Sequence, residues 1–277
     1  MKQPIKSFTE FEFEGWGNSS VCENYDEHFG AITIQSVNAM LDAATVREHH
    51  NVLDVCTGAG YAAGAATERG ANTIGIDFSN SQVQLAKKRF PSTKFKMGDA
   101  TDLPFDADTF DAVVNGIGIP HFEDPDAAIK EALRVLKPGG KFAFTVYDTP
   151  RNAVGFGILY DAIQSHGSMN IGLPTGPNFF LFSDPGEGSS RLASAGFESV
   201  DTKTVPQTWK LSSPGQLFEA VENGSVRAAA TLHEQTPEAK NEIKAAVTNS
   251  IIKYQQGSRY ELPMPVLLYS ATKPKSV

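Results

Sequence analysis

The chain has 277 residues, 40% of them apolar and 20% charged, which fits one large globular domain or one domain with an inserted cap. A net charge of −8 argues against binding nucleic acid or an anionic membrane surface, since both call for Lys and Arg. Two cysteines, Cys22 and Cys56, are too few for a disulfide framework or a Cys-rich metal site and read as reduced thiols of a cytoplasmic protein. The stretch Met1 to Phe8 lacks the apolar core of a signal peptide, and no run approaches the ~18 apolar residues that a membrane span needs. A soluble protein with no membrane insertion is expected.

From 51 to 147, short apolar strands alternate with helical stretches. Strands are expected at 51–55, 73–76, 94–97, 111–115 and 141–147. Between the first two lies an Ala-rich helix ending near Glu68. Ser79 reads as the N-cap of a helix with Val83, Ala86 and Phe90 on one face. The next helix opens at Pro125, carries Ile129, Leu133 and Leu136, and stops at Lys137-Pro138-Gly139-Gly140. This alternation predicts an α/β fold, a Rossmann-like, mostly parallel sheet with helices on both faces. Residues 150–182 are rich in Gly, Pro and Phe with little periodicity. A helix at 184–195 and a strand at 198–206 follow. Residues 210–262 are expected to be helical, with segments at 212–222 and from Thr236 to about Gly257, and 264–271 is a final apolar strand. The whole reads as a single domain over 1–277: an N-terminal lid (1–45), a cofactor-binding core (46–149), and elaborations at 150–182 and 210–262.

The loop Asp54-Val55-Cys56-Thr57-Gly58-Ala59-Gly60 joins a strand to a helix, the arrangement that brings backbone N–H groups and a helix N-terminus to a ligand. Gly58 and Gly60 permit close approach, and their spacing alone is nearly neutral between cofactor classes. Asp54 is more telling: a carboxylate beside the loop repels a pyrophosphate and suits a ligand carrying an ammonium group. Asp77, ending the next strand, can accept both hydroxyls of a ribose. Asp99, after the third strand, can accept from an adenine amino group. Singly, each acid could be a solvated strand end or a helix cap; three at successive carboxyl ends point to an adenosine-bearing ligand.

Val52 to Gly60, Gly75-Ile76-Asp77-Phe78-Ser79, Gly98-Asp99-Ala100 and Leu136 to Gly140 resemble the successive motifs of class I S-adenosylmethionine-dependent methyltransferases. Asp102 to Asp106 and Asp111 to Asn115 extend the likeness, and the branch it resembles is that of the quinone and small-molecule methyltransferases. The resemblance covers about 51–147 and implies a seven-stranded sheet with an antiparallel last strand. It also implies S-adenosyl-L-methionine as cofactor, with Gly58 and Gly60 flanking its methionine part, Thr57 in the same loop and Asp54 near the amino group. Asp77 would hold the ribose, with Phe78 and Gln82 beside the adenosine. Asp99 and Ala100 would read adenine, and Asn115 and Gly116 would lie along the methionine portion. Many relatives carry paired histidines where this chain has Pro120-His121.

Methyl transfer from a sulfonium needs orientation and, for some acceptors, a base. Among His28, His121, His166 and His233, with Tyr25 and Asp148 as lesser choices, His121 stands at the carboxyl end of the fourth strand and is the catalytic candidate. A packed or capping histidine is the competing reading. The aromatics Phe8, Phe11, Phe13, Trp16, Tyr25 and Phe29 form the lid by family analogy, with Tyr25 touching the cofactor's methionine end; equally, they could anchor a helix. Phe179 to Phe182 could line an apolar acceptor pocket. No metal site is visible. The expected activity is methylation of a small, apolar or aromatic acceptor at O, C or N. The alternatives are a non-methylating S-adenosylmethionine-binding sensor or assembly subunit, or a cyclase using the cofactor's charge; an NAD oxidoreductase is a distant fourth. Oligomeric state, a homodimer included, stays open.

Overall fold

The computed structural model describes residues 7–275, so part of the expected lid and most of the Met1 to Phe8 stretch lie outside the described residues. In chain order the helices and strands are α1 (Phe8–Gly17), α2 (Ser19–Ala43), β1 (Asn51–Val55), α3 (Tyr61–Glu68), β2 (Asn72–Asp77), α4 (Asn80–Arg89), β3 (Lys94–Met97), β4 (Phe110–Gly116), α5 (Pro125–Val135), β5 (Leu136–Tyr147) and α6 (Val154–His166). They continue with α7 (Pro185–Ala195), β6 (Glu198–Val205), β7 (Thr208–Leu211), α8 (Gln216–Gly224), α9 (Arg227–His233), α10 (Pro237–Ile251), β8 (Gln255–Gln256), β9 (Arg259–Pro263) and β10 (Val266–Thr272). The chain divides into two compact units: a larger one of 33–147, 177–205 and the last strand, and a smaller one of residues up to 32, 148–176 and 206–265.

The larger unit is built on a seven-stranded sheet in the order β3-β2-β1-β4-β5-β10-β6. β1 is parallel to both β2 and β4, while β10 runs antiparallel to β5 and β6, as the resemblance implied. Alternate residues feed opposite faces, following the two-residue period of a strand. Leu53, Val113, Phe142 and Phe144 pack with α5 and α7 residues on one face. Val52, Ala112, Val114 and Ala143 pack with the end of α2 and α3 on the other. Burial on both faces explains why these strands read as unbroken apolar runs. The cap chemistry also follows the sequence: Ser79 Oγ accepts from Gln82 N–H at 3.2 Å ahead of α4, and Asp124 Oδ1 accepts from Ala127 N–H at 3.0 Å ahead of α5. β5 starts earlier than expected, at Leu136, and takes the Lys137-Pro138-Gly139-Gly140 turn into a register shift opposite β4.

The smaller unit departs further from expectation. α6 occupies thirteen residues of the stretch expected to be irregular. Its buried Phe156, Leu159 and Ile163 follow a helical spacing hidden by two glycines that are packing positions. A Cβ on Gly155 would lie 3.0 Å from Met264 Sδ, and one on Gly157 would lie 2.3 Å from Pro150 O. The 210–262 region is not purely helical either: β7, β9 and β8 form a separate three-stranded antiparallel sheet. Those strands are two to five residues long and pair only with one another, too short to leave a periodic signal.

Candidate cofactor site at the carboxyl edge of the sheet

Eleven of the sequence-identified cofactor residues, Asp54, Thr57, Gly58, Gly60, Asp77, Phe78, Gln82, Asp99, Ala100, Asn115 and Gly116, fall in the larger unit, on or beside the carboxyl ends of β1 to β4. Asp54 is 1% exposed; its Oδ2 accepts from the Thr57 hydroxyl at 2.6 Å and from Ala63 N–H at 3.0 Å. Burial pushes its carboxyl up to about 7, the two hydrogen bonds pull against that, and the nearby Asp77 charge adds to the rise. Asp77 accepts Gly58 N–H on Oδ2 at 3.0 Å and Ser79 N–H on Oδ1 at 2.9 Å. Burial lifts it to about 6, against those bonds and the pull of a charge on His121. The two acids thus brace the glycine loop while themselves lacking a full counter-charge.

The two loop glycines do different work. Gly58 has φ +52°, and a Cβ there would find its nearest neighbour, Gln82 Oε1, 4.0 Å away, so its outer side is open. Gly60, at φ +87°, heads α3, and a Cβ would press on Phe95 at 2.9 Å, Ala86 at 3.0 Å and Phe90 at 3.1 Å. Gly60 therefore seats α3 against α4 and β3, and Gly58 is the one that opens towards a ligand. Gln82, 4% exposed, holds a buried Oε1 with no hydrogen-bond partner. Such an orphaned acceptor beside an open glycine fits a polar ligand edge. Asp99 Oδ1 accepts both the N–H and the hydroxyl of Thr101 at 2.8 Å, while the residue stays exposed to an incoming donor next to buried Ala100. An ammonium at Asp54, ribose hydroxyls at Asp77 and an adenine amino edge near Asp99 would be the donors for this set of acceptors, so the residues present fit S-adenosylmethionine.

Asn115 is buried, and its carboxamide binds main chain: Nδ2 donates to Val55 O at 2.9 Å, and Oδ1 accepts from Gly118 N–H at 2.9 Å and Ile119 N–H at 3.0 Å. Gly116 leaves Met40 Cε 3.8 Å from a Cβ position, ordinary contact. Sequence inspection missed two residues here. Cys56 (φ +56°) and Ile117 (φ +63°) adopt left-handed backbone that costs a non-glycine residue roughly 1 kcal/mol or more. Nothing in their side chains signals that conformation. Burial and the charges of Asp77, Asp54 and Asp99 push the Cys56 thiol well above its ordinary value.

His121 ends a single 3-10 turn, Ile119–His121, and sets its ring edge-on to Phe179 at 5.7 Å. Tyr25 belongs to the smaller unit, where it stacks on Phe29 at 5.1 Å, meets Trp16 edge-on at 5.2 Å, and Phe29 in turn lies 4.7 Å from Trp209. Trp16, Tyr25 and Phe29 therefore pack helices within that unit, whereas Phe13 is exposed. Of the other base candidates there, two are structurally engaged: Asp148 accepts Thr149 N–H at 2.6 Å and Asn152 Nδ2 at 3.0 Å, and His166 Nδ1 lies 3.5 Å from Glu242. His28 contributes its main-chain carbonyl to Trp209 Nε1, while its ring Nδ1 is buried without a hydrogen-bond partner. Among the described residues, no helix is long and apolar enough to cross a membrane.

Residues 53–144 match the methyltransferase domain family. A demethylmenaquinone methyltransferase of Clavibacter sepedonicus is 37% identical over 102 residues, 36% of this chain and 42% of that protein. The chain thus spans less than half the length of that curated relative. Among solved structures, the YcgJ protein of Bacillus subtilis aligns over 87% of this chain and 99% of its own at 20% identity, TM-score 0.54. Phosphoethanolamine N-methyltransferase 2 of Haemonchus contortus, in complex with S-adenosyl-L-methionine, aligns over 99% of this chain and 62% of its own at 18% identity, TM-score 0.61. These structural likenesses show the Rossmann-like fold.

Proposed function

We propose that this chain, whose residues 53–144 match the methyltransferase domain family, is a class I S-adenosylmethionine-dependent methyltransferase that moves the cofactor's methyl group to a small, apolar or aromatic acceptor. The observation that carries the reading is the pair Asp54 and Asp77, buried without a full counter-charge and hydrogen-bonded to Thr57 and to Gly58 of the glycine loop. A ligand with an ammonium and a ribose supplies a counter-charge to Asp54 and hydroxyl donors to Asp77.

When bound, S-adenosylmethionine supplies an electrophilic methyl whose bond to sulfur breaks as the acceptor's new bond forms, the bonding pair staying on sulfur to give S-adenosylhomocysteine. The chain's own part is binding and orientation. Asp54 holds the ammonium and Asp77 the ribose hydroxyls; Gln82 Oε1 and Asp99 accept from the adenosine's donors, beside Phe78 and Ala100. Thr57 keeps Asp54 oriented through its 2.6 Å hydrogen bond. His121 takes the acceptor's proton where the acceptor has one to lose. Support for an aromatic, quinone-like acceptor comes from the name of the Clavibacter relative and from the Phe179–Phe180 edge beside His121. The 150–182 and 210–262 elaborations and the Tyr25 segment are read as the acceptor side of the enzyme, which works in the cytoplasm with its cysteines reduced.

The test is incubation with methyl-labelled S-adenosylmethionine and a panel of naphthoquinol, phenol and amine acceptors, following S-adenosylhomocysteine by mass spectrometry. Turnover with a flat aromatic acceptor is expected. Tight binding without turnover on any acceptor would favour a sensor or cyclase, and absence of binding would remove the reading altogether.

A further inference from the structure

The ladder between β1 and β4 ends at Asp54 opposite Val114. Past that pair the strands part, at the point where the chain leaves β1 for β2 on one side and returns as β4 on the other. One side chain spans the split. Asn115 ties Val55 O on β1 to Gly118 N–H and Ile119 N–H beyond β4, all within 3.0 Å. The tied residues adjoin the two left-handed positions: Cys56 follows Val55, and Ile117 precedes Gly118. Gly118 completes the interlock, because a Cβ there would lie 2.5 Å from Asn115 Nδ2 and 2.7 Å from Cys56 Cβ.

We propose that Asn115 is a positioning residue for methyl transfer: its carboxamide fixes the separation of the β1 and β4 ends and holds Cys56 in left-handed backbone, which sets where the Thr57–Gly58 turn meets the cofactor. The consequence for binding rests on the methyltransferase reading; the interlock itself does not. Asn115 acts through the main chain of Val55, Gly118 and Ile119 and also hydrogen-bonds the Cys56 side chain, so both of its contacts on the β1 side bear on the chain at 55–56. The strain at Cys56 gives the mechanism a signature. Glycine occupies φ near +56° freely, so a glycine at 56 needs no such restraint.

The test uses Asn115→Ala, Asn115→Asp, Cys56→Gly and the double variants, with S-adenosylhomocysteine affinity by calorimetry and amide hydrogen exchange in the ligand-free protein. Asn115→Ala should weaken affinity about tenfold and speed exchange at Thr57 and Gly58, across the split, by a similar factor. Asn115→Asp keeps the acceptor for Gly118 and Ile119 but loses the donor to Val55; it should fall between, and it carries the test if the alanine variant does not fold. Adding Cys56→Gly should recover about fivefold of the lost affinity in either background. Losses that Cys56→Gly leaves untouched would mean that Asn115 only fills space or touches ligand directly, and would overturn the proposal. So would unchanged exchange at Thr57 and Gly58. Should the wild-type chain itself not bind S-adenosylhomocysteine, the functional reading falls, while the exchange measurement still decides the interlock.

Discussion

The two ends of the same sheet treat their charges in opposite ways. At the amino edge, Asp111 at the start of β4 takes Lys137 Nζ on both oxygens at 2.8 and 2.9 Å and Asn51 N–H at 2.8 Å. Partial burial is outweighed there by those partners, and the carboxyl sits below its ordinary value. Nearby, the hydrogen bond and charge of Arg134 hold Glu131 below its ordinary value too, while Arg134 also binds the carbonyls of Leu103 and Phe105. At the carboxyl edge, Asp54 and Asp77 are more deeply buried and pushed up to about 7 and about 6. Saturated charge holds a fold together; buried charge short of a partner disfavours the ligand-free state and is retained where something else supplies the partner.

The largest effect that would break this contrast comes from Asp77→Ala. It should lower S-adenosylhomocysteine affinity at least ~100-fold in calorimetry, as expected for removing a ligand's buried hydrogen-bonded partner, while circular dichroism still reports the native fold. Unchanged affinity would remove Asp77 from the site.

Next in size is pH. Asp54 and Asp77 bind protons more tightly folded than unfolded, so their contribution to stability is whole below about 3.8 and is lost as pH rises through about 6 and about 7. The ligand-free melting temperature should therefore lose ground over that window. Affinity should instead rise by about tenfold towards pH 8, because the ammonium needs an ionised Asp54. Asp54→Asn should flatten the affinity profile and remove the part of the stability loss centred near 7, leaving Asp77's part near 6; profiles unchanged by it would assign the titration elsewhere.

The smallest effect belongs to the amino edge. Arg134→Ala should cost about 1–2 kcal/mol in urea denaturation, through its lost hydrogen bonds more than its part-exposed ion pair, and leave ligand affinity unchanged. A fall in affinity would show that the two edges are coupled.

How much of this was legible beforehand follows from the same physics. β1, β3 and the helices capped by Ser79, Asp124, Asp184 and Thr236 could be read from the chain, because periodicity and cap chemistry are local. Asp54, Asp77 and Asp99 were legible because topology puts strand ends on one edge. α6 was hidden because Gly155 and Gly157 look like turn residues until their close neighbours are known. The left-handed Cys56 and Ile117, and the division of labour between Gly58 and Gly60, depend on contacts between segments distant in sequence. Asn115 could be picked out by position, yet only the structure shows its amide committed to main chain.

The aromatic stack of the smaller unit has a practical consequence. The chain's two tryptophans, Trp16 and Trp209, both sit in that unit, and both are buried. Intrinsic fluorescence at the tryptophan band therefore reports on that unit alone, whereas far-ultraviolet dichroism sums over both. Recording the two signals on one denaturation curve would reveal whether the units melt together or in sequence, with no label introduced.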